Sequence, residues 1–158
     1  NKGADKIIIG SSALNNPKII NNIAKRFGSQ SIMLSIDVKS EYGKYFIYSH
    51  SAKKKHTVNI IEWIKKVQDL GAGEILLNSI DNEGTMKGYD LQLLKKIHSF
   101  LKVPLVFNGG AGKIEDFIEV LENKKIMAVA ASSVFLFSEI TPNMIKKKAL
   151  KNNINVRI

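Results

Sequence analysis

The sequence predicts an α/β fold built on a parallel sheet, and three observations carry that prediction. Short β-branched runs alternate with longer helical patterns five times along the 158 residues, at spacings of roughly 25–40 residues. The strand runs are nearly continuous apolar stretches, as expected where both faces of a sheet are covered. Polar and glycine residues gather just after the C-terminal ends of those runs: Ser11-Ser12, Asp37, Asn78 with Asp81, Asn108-Gly109-Gly110, and Ser132-Ser133. A doubly wound open sheet concentrates such residues in one or two loops, whereas a (β/α) barrel carries its active site at the C-terminal ends of many strands. The expectation is one domain over residues 1–158, a partial (β/α) barrel of about five βα units.

The elements follow in order. Lys6-Ile7-Ile8-Ile9 reads as a strand from its length and branching. Pro17 suits the first turn of a helix, and Ile19, Ile20, Ile23, Ala24 and Phe27 follow at helical spacing until Gly28. Ser31 to Ile36 is a second strand, expected to end at Asp37. Residues 44–49 alternate and form one arm of a small hairpin. A helix over about 58–70 follows, with Ile60, Ile61, Ile64, Val67 and Leu70 apolar and Gly71 as its stop. Glu74 to Asn78 is the third main strand, running out to Asp81. Leu91, Leu94, Ile97 and Leu101 mark the next helix. Pro104 to Phe107 is a fourth strand, leading into Gly109-Gly110-Ala111-Gly112, and Phe117, Ile118 and Leu121 mark the helix after it. Residues 126–131 form a fifth strand. A short helical turn near Ser132–Phe135 and a last helix over about 142–151 complete the chain.

Composition excludes several classes. Hydrophobic residues make up 44% and charged residues 24%, enough for a sizeable core and against disorder. There is no cysteine, so a disulfide framework and a thiolate metal site are both ruled out. No apolar run approaches the ~20 residues that span a bilayer. The opening residues lack the basic-then-apolar pattern of a signal peptide, so a cytoplasmic location and no membrane partner are expected. The net charge is +10, yet only Arg26 and Arg157 are arginine. Nucleic-acid binders often read phosphate with arginine forks, so no nucleic-acid partner is expected. The positive excess suits an anionic small substrate or an acidic partner.

Asn108-Gly109-Gly110-Ala111-Gly112-Lys113 is the strongest local signal. Glycines straight after a strand and opening a helix let backbone amides approach a phosphate. They equally serve as a plain tight turn. Ser132-Ser133, at the next strand end, is a second small-residue turn, and the loops after the last two strands of a barrel often hold a phosphate together. Asp37 and Asp81 each stand at a strand end, where an acid acts as general acid or base, or else as a helix cap or loop ion pair. The segment from Ser79 to Asp90, which includes Glu83, is long for a βα connection. His50, His56 and His98 have no metal-ligand spacing and read as surface residues, so no metal is expected. Lys146-Lys147-Lys148 reads as a solvated helix face.

These motifs also carry a family resemblance. Gly3-Ala4-Asp5-Lys6, Phe27-Gly28-Ser29-Gln30, Ser35-Ile36-Asp37, residues 70–77 (LGAGEILL), residues 84–90 (GTMKGYD), residues 109–113 (GGAGK), Ser133-Val134-Phe135 and residues 155–158 (NVRI) occur in specific order and spacing. Residues 3–158 thereby resemble the C-terminal two-thirds of HisF, the cyclase subunit of imidazole glycerol phosphate synthase. The resemblance implies a (β/α)8 TIM barrel, of which this chain lacks the first three strands. It implies a lyase of histidine biosynthesis that needs no cofactor and takes ammonia from a partner glutaminase of the HisH type. The ammonia attacks a bis-phosphorylated ribulosyl imidazole-carboxamide ribotide. Imidazole glycerol phosphate and aminoimidazole carboxamide ribotide are the products. Carried over by position, Asp37 is one catalytic aspartate and Asp81 a further active-site acid. Gly109, Gly110, Ala131, Ser132 and Ser133 bind one terminal phosphate and Ser11 the other. Lys6 and Glu74 form half of a charged ammonia gate at the opposite barrel end.

The departures are specific. The family's first catalytic aspartate lies on a strand that has no counterpart here. Gly10 stands where the family usually carries a phosphate-binding asparagine, and Asn82-Glu83 replaces a common Arg-Asp pair. The stretches Asn78-Ser79-Ile80-Asp81 and Gly84 to Asp90 look more like paralogues paired with an amidotransferase in acetamidino-sugar synthesis for surface polysaccharides. A non-enzymatic phosphate-binding half-barrel is the third expectation. In each case the strands at 6–9 and 126–131 are expected to present open edges.

Overall fold

A computed structural model describes residues 3–49 and 53–157. His50, Ser51 and Ala52 therefore lie outside the described residues, as do Asn1, Lys2 and Ile158. Five strands form a parallel sheet: β1 (Ile7–Ile9), β2 (Ile32–Glu41), β5 (Glu74–Ser79), β6 (Leu105–Asn108) and β7 (Ile126–Ala130). Two more, β3 (Lys44–Ser49) and β4 (Lys54–His56), add on antiparallel. The helices are α1 (Ser11–Asn15), α2 (Lys18–Phe27), α3 (Ile60–Asp69), α4 (Leu91–Ile97), α5 (Ile114–Leu121), α6 (Ser133–Phe137) and α7 (Pro142–Lys151).

The strand order decides the architecture. Each parallel strand pairs with the next one in sequence, in the order β1-β2-β5-β6-β7. A doubly wound sheet reverses direction at a switch point, and this order never does. Right-handed crossovers that always advance the same way put every helix on one face. That is the winding of a (β/α) barrel.

Burial alternates accordingly. Ile32, Leu34, Ile36, Val38, Ile75, Leu77, Leu105 and Phe107 are at most 1% exposed. They form the core with Ile20 of α2, Ile64 and Val67 of α3, Leu93 and Ile97 of α4, and Phe117 and Val120 of α5. The intervening residues share the other face and are only half-buried: Met33, Ser35 and Asp37 on β2, Glu74, Leu76 and Asn78 on β5, Val106 and Asn108 on β6. The expectation of two covered faces is thus corrected. Helices cover one face, and the face that would line a barrel interior is open among the described residues.

Local chemistry sets the element ends. Asn59 accepts from the Ile61 amide at 2.8 Å and caps α3, and Asp90 accepts from Leu93 at 2.9 Å and caps α4. Helix α3 closes in a Schellman motif, with Gly71 donating to Gln68 O and Ala72 to Val67 O, both at 3.0 Å. Gly71 has φ +103, so it stops the helix as its sequence position implies. The second strand does not end at Asp37. It continues to Glu41, because β3 folds back on it with Asp37 opposite Tyr48 and Glu41 opposite Lys44. The turn between them, Tyr42-Gly43, has both φ angles positive, at 51° and 71°. That is the two-residue hairpin geometry whose twist matches the strands. Helix α1 and strand β4 have no forewarning in the sequence pattern, being five and three residues long.

Candidate active site at the C-terminal strand ends

One row of side chains crosses the open face. Asp37, Asn78, Asn108 and Ala130 are register partners on four adjacent strands. Asn108 donates its Nδ2 to Asn78 Oδ1 at 2.8 Å. Asn78 in turn donates its Nδ2 to Asp37 Oδ1 at 3.4 Å and to Glu83 Oε2 at 3.1 Å. Partial burial pushes the Asp37 carboxyl above its ordinary value of 3.8; the Asn78 bond opposes that rise, and the nearby Glu83 charge adds to it. A carboxyl held this way keeps its proton closer to neutrality, which general acid–base work requires.

Asp81 reaches the same rim by another route. It is exposed, two residues past the end of β5, and its Oδ2 accepts the Ser40 amide at 2.6 Å. That bond ties the extension of β2 to the β5–α4 loop, as does Ile80 N to Val38 O at 2.8 Å. Asp37 and Asp81 therefore flank one stretch of β2. No hydrogen bond is shared by the two carboxyls. Above Asp37, Tyr48 donates to Glu41, which Lys55 also pairs. These two partners hold the half-buried Glu41 carboxyl below the usual carboxylate range, with Lys55 the larger influence.

The glycine turn is shaped by the loop that rests on it. A Cβ on Gly110 would stand 2.1 Å from Gly88 O, and Gly110 has φ +110. Gly88 donates to Gly110 O at 2.8 Å, and Asn82 Nδ2 donates to Gly88 O at 2.9 Å. A Cβ on Gly84 would come within 3.9 Å of Ser133 Oγ, so the same loop reaches the β7–α6 turn. The 84–88 segment, Gly109-Gly110 and Ser132-Ser133 thus meet at one edge of the rim. Beneath them Tyr89 is buried, stacks on Phe107 and donates its hydroxyl to Ala130 O at 3.0 Å. Desolvation raises its pKa, so it stays a donor at ordinary pH. The start of α5 is less open than the sequence implies. Asp116 Oδ2 takes the amides of Gly112 and Lys113, at 2.8 and 3.1 Å.

Ser11 begins α1 directly after β1. Three to four strand spacings separate it from the 109–110 and 131–133 turns, roughly 15–20 Å along the sheet. Asp37 lies between. At the other end of the strands, Lys6 and Glu74 form an ion pair. His56, expected as plain surface, has Nε2 2.7 Å from Ser49 Oγ inside the hairpin. Among the described residues no cluster of histidine and acidic groups is placed to hold a metal. A groove of about 940 Å³ lies elsewhere, along the outer edge of β7 beside Phe117, Met127, Phe135 and Ile145.

The residue reading singled out Asp37, Asp81 and the glycine turn, but gave no role to Asn78, Asn108, Glu83 or Tyr48. Carboxamides at strand ends in register were the available signal. It becomes visible only when the pairing is known.

Comparison with known proteins bears on this arrangement. The histidine biosynthesis protein family matches residues 1–141. The chain belongs to that family. It is similar to proteins named imidazole glycerol phosphate synthase subunit HisF. The Lactococcus lactis subsp. lactis protein is 38% identical over 159 residues, covering 99% of this chain and 61% of the relative. The Flavobacterium johnsoniae protein is 39% identical over 158 residues, covering 100% and 63%. The Petrotoga mobilis protein is 40% identical over 158 residues, covering 99% and 62%. The chain thus spans about three-fifths of the length of these relatives. Family membership agrees with the singly wound (β/α) sheet. Among the described residues no helix is long and apolar enough to cross a membrane.

Proposed function

We propose that this chain is the C-terminal part of a cyclase of the HisF type, acting in the cytoplasm with a glutaminase that supplies ammonia. One observation carries the reading. A half-buried acid, Asp37, stands between two small-residue turns on opposite sides of one parallel-sheet rim, in a family named for histidine biosynthesis. The single domain over residues 1–158 supplies five βα units of the barrel. Gly109, Gly110, Ala131, Ser132 and Ser133 grip one phosphate, and Ser11 the other. The two grips stretch a bis-phosphorylated substrate across the rim. Asp37 then moves protons while ammonia adds and the ring closes. Asp81 serves as a further acid beside it. The Lys6–Glu74 pair contributes to the ammonia entry at the far end.

The decisive experiment assays ammonia-dependent cyclisation. The chain alone should turn over nothing. Supplied with the missing N-terminal third of a HisF relative, it should convert the ribulosyl imidazole-carboxamide ribotide. Full activity from the chain alone would overturn the fragment reading. A second reading, the acetamidino-sugar paralogue, is favoured by the Asn78-Ser79-Ile80-Asp81 stretch, and turnover of a nucleotide sugar but not the ribotide would establish it. Phosphate binding without turnover of either would leave the half-barrel reading.

A further inference from the structure

We propose that Asn78 is a positioning residue whose side-chain amide, steered by Asn108, holds Asp37 and Glu83 together as a pair of carboxylates. Its catalytic meaning rests on the cyclase reading above, but its geometry does not. An amide NH2 has two hydrogens, and Asn78 offers one to each acid, at 3.4 Å to Asp37 Oδ1 and 3.1 Å to Glu83 Oε2. The other end of the same amide accepts from Asn108 Nδ2 at 2.8 Å. That bond fixes the orientation. Turned over, Asn78 would aim its carbonyl oxygen at two carboxylates and its NH2 at the NH2 of Asn108, repulsive on both sides. Asn108 therefore acts on Asp37 through Asn78, across two strand spacings.

Glu83 becomes the close acid partner of Asp37 by this arrangement, while Asp81 is bound to Ser40. The Glu83 charge opposes ionisation of Asp37 beside it and adds to the rise that burial produces, while the Asn78 bond works against that rise. Other groups face Asp37 as well. Lys39 and Glu41 lie along the same face of β2, Tyr48 is its cross-strand partner on β3, and Lys55 projects from β4 onto Glu41. None of these is joined to Asp37 by a hydrogen bond among the described residues.

The test follows the Asp37 carboxyl by 13C NMR as pH is varied, in the chain as it stands, so no turnover is needed. Glu83→Gln sits at an exposed position and preserves the fold. It should lower the Asp37 midpoint. Asn78→Leu removes the donor and should raise it. Asn108→Leu, which touches neither acid, should also raise it, and Asn108→Ser, which restores a donor, should return it toward the starting value. An Asp37 midpoint that is the same in the wild type, Glu83→Gln and Asn108→Leu overturns the proposal. In the completed enzyme, Asn78→Leu should lower kcat roughly tenfold with KM little changed, and shift the acid limb of the pH profile with the NMR midpoint. Expected NMR shifts without turnover of either substrate would sink the cyclase reading and leave the positioning role standing. Turnover that needs Asp37 but shows no NMR shift would do the reverse.

Discussion

Asp37 sits in mid-strand, half out of water, with carboxamides on one side and a hairpin tyrosine on the other. Its burial has a thermodynamic consequence that can be signed. The folded carboxyl has a pKa above 3.8, so between 3.8 and that raised value the native state holds more protons than the unfolded chain. Stability therefore falls as pH rises through that window, and stays lower above it. Asp37→Asn removes the ionising group. Its urea midpoint should exceed that of the wild type at pH 7, and the difference should vanish below pH 3.8. The same variant should lower cyclisation by the completed enzyme by about 10²–10⁴, the usual weight of a general acid or base. Asp81→Ala should behave differently. Losing the charged acceptor for Ser40 should cost about 1–2 kcal/mol by denaturant titration. A stability loss with unchanged kcat/KM would remove Asp81 from the chemistry. Both aspartates were legible as candidate acids, although Asp37 lies inside β2 and not at its end. Their partners were not, because a cross-strand hydrogen bond joins residues about 30 to 41 positions apart.

At the scale of elements, the sequence pattern located every long helix and every parallel strand, since each has a full turn of apolar spacing or a continuous branched run. Short pieces escaped it. Helix α1 and strand β4 have too few residues to show a period, and β4 forms by pairing antiparallel with β3. The hairpin carries a testable flaw. Tyr42 is fully exposed with φ 51, a left-handed conformation that β-turns of this kind usually give to Asn or Gly. Tyr42→Asn should raise stability by about 0.5–1 kcal/mol, read from the urea midpoint. The glycine turn predicts the opposite sign. Gly110→Ala places a methyl 2.1 Å from the Gly88 carbonyl at φ +110, so the β5–α4 loop must lift from its seat. Stability should drop by roughly 2–4 kcal/mol, with loss of phosphate binding by isothermal titration.

For the whole molecule, the open edges matter most. Among the described residues β1 pairs only with β2, and β7 only with β6. Ile8 is 62% exposed on β1 and Met127 67% exposed on β7, both large apolar side chains on edge strands. Unpaired apolar edges recruit other chains. The wild-type chain should therefore self-associate in sedimentation velocity at micromolar concentration. Ile8→Lys with Met127→Lys should shift it toward monomer while leaving helical circular dichroism unchanged. A monodisperse wild-type monomer would count against free edges.

The sequence by itself determined the alternation of strand and helix, the excess of lysine over acid, and the gathering of polar and glycine residues near strand ends. Each of these is a local property, set by residue type and by a period of two or 3.6. Only the tertiary structure decided that the strands advance in one direction, that Asp37 lies inside a longer β2, and that one asparagine touches two acids. Such facts depend on register between strands that are distant in sequence. A register is chosen by the packing of the whole sheet and by no single segment of it.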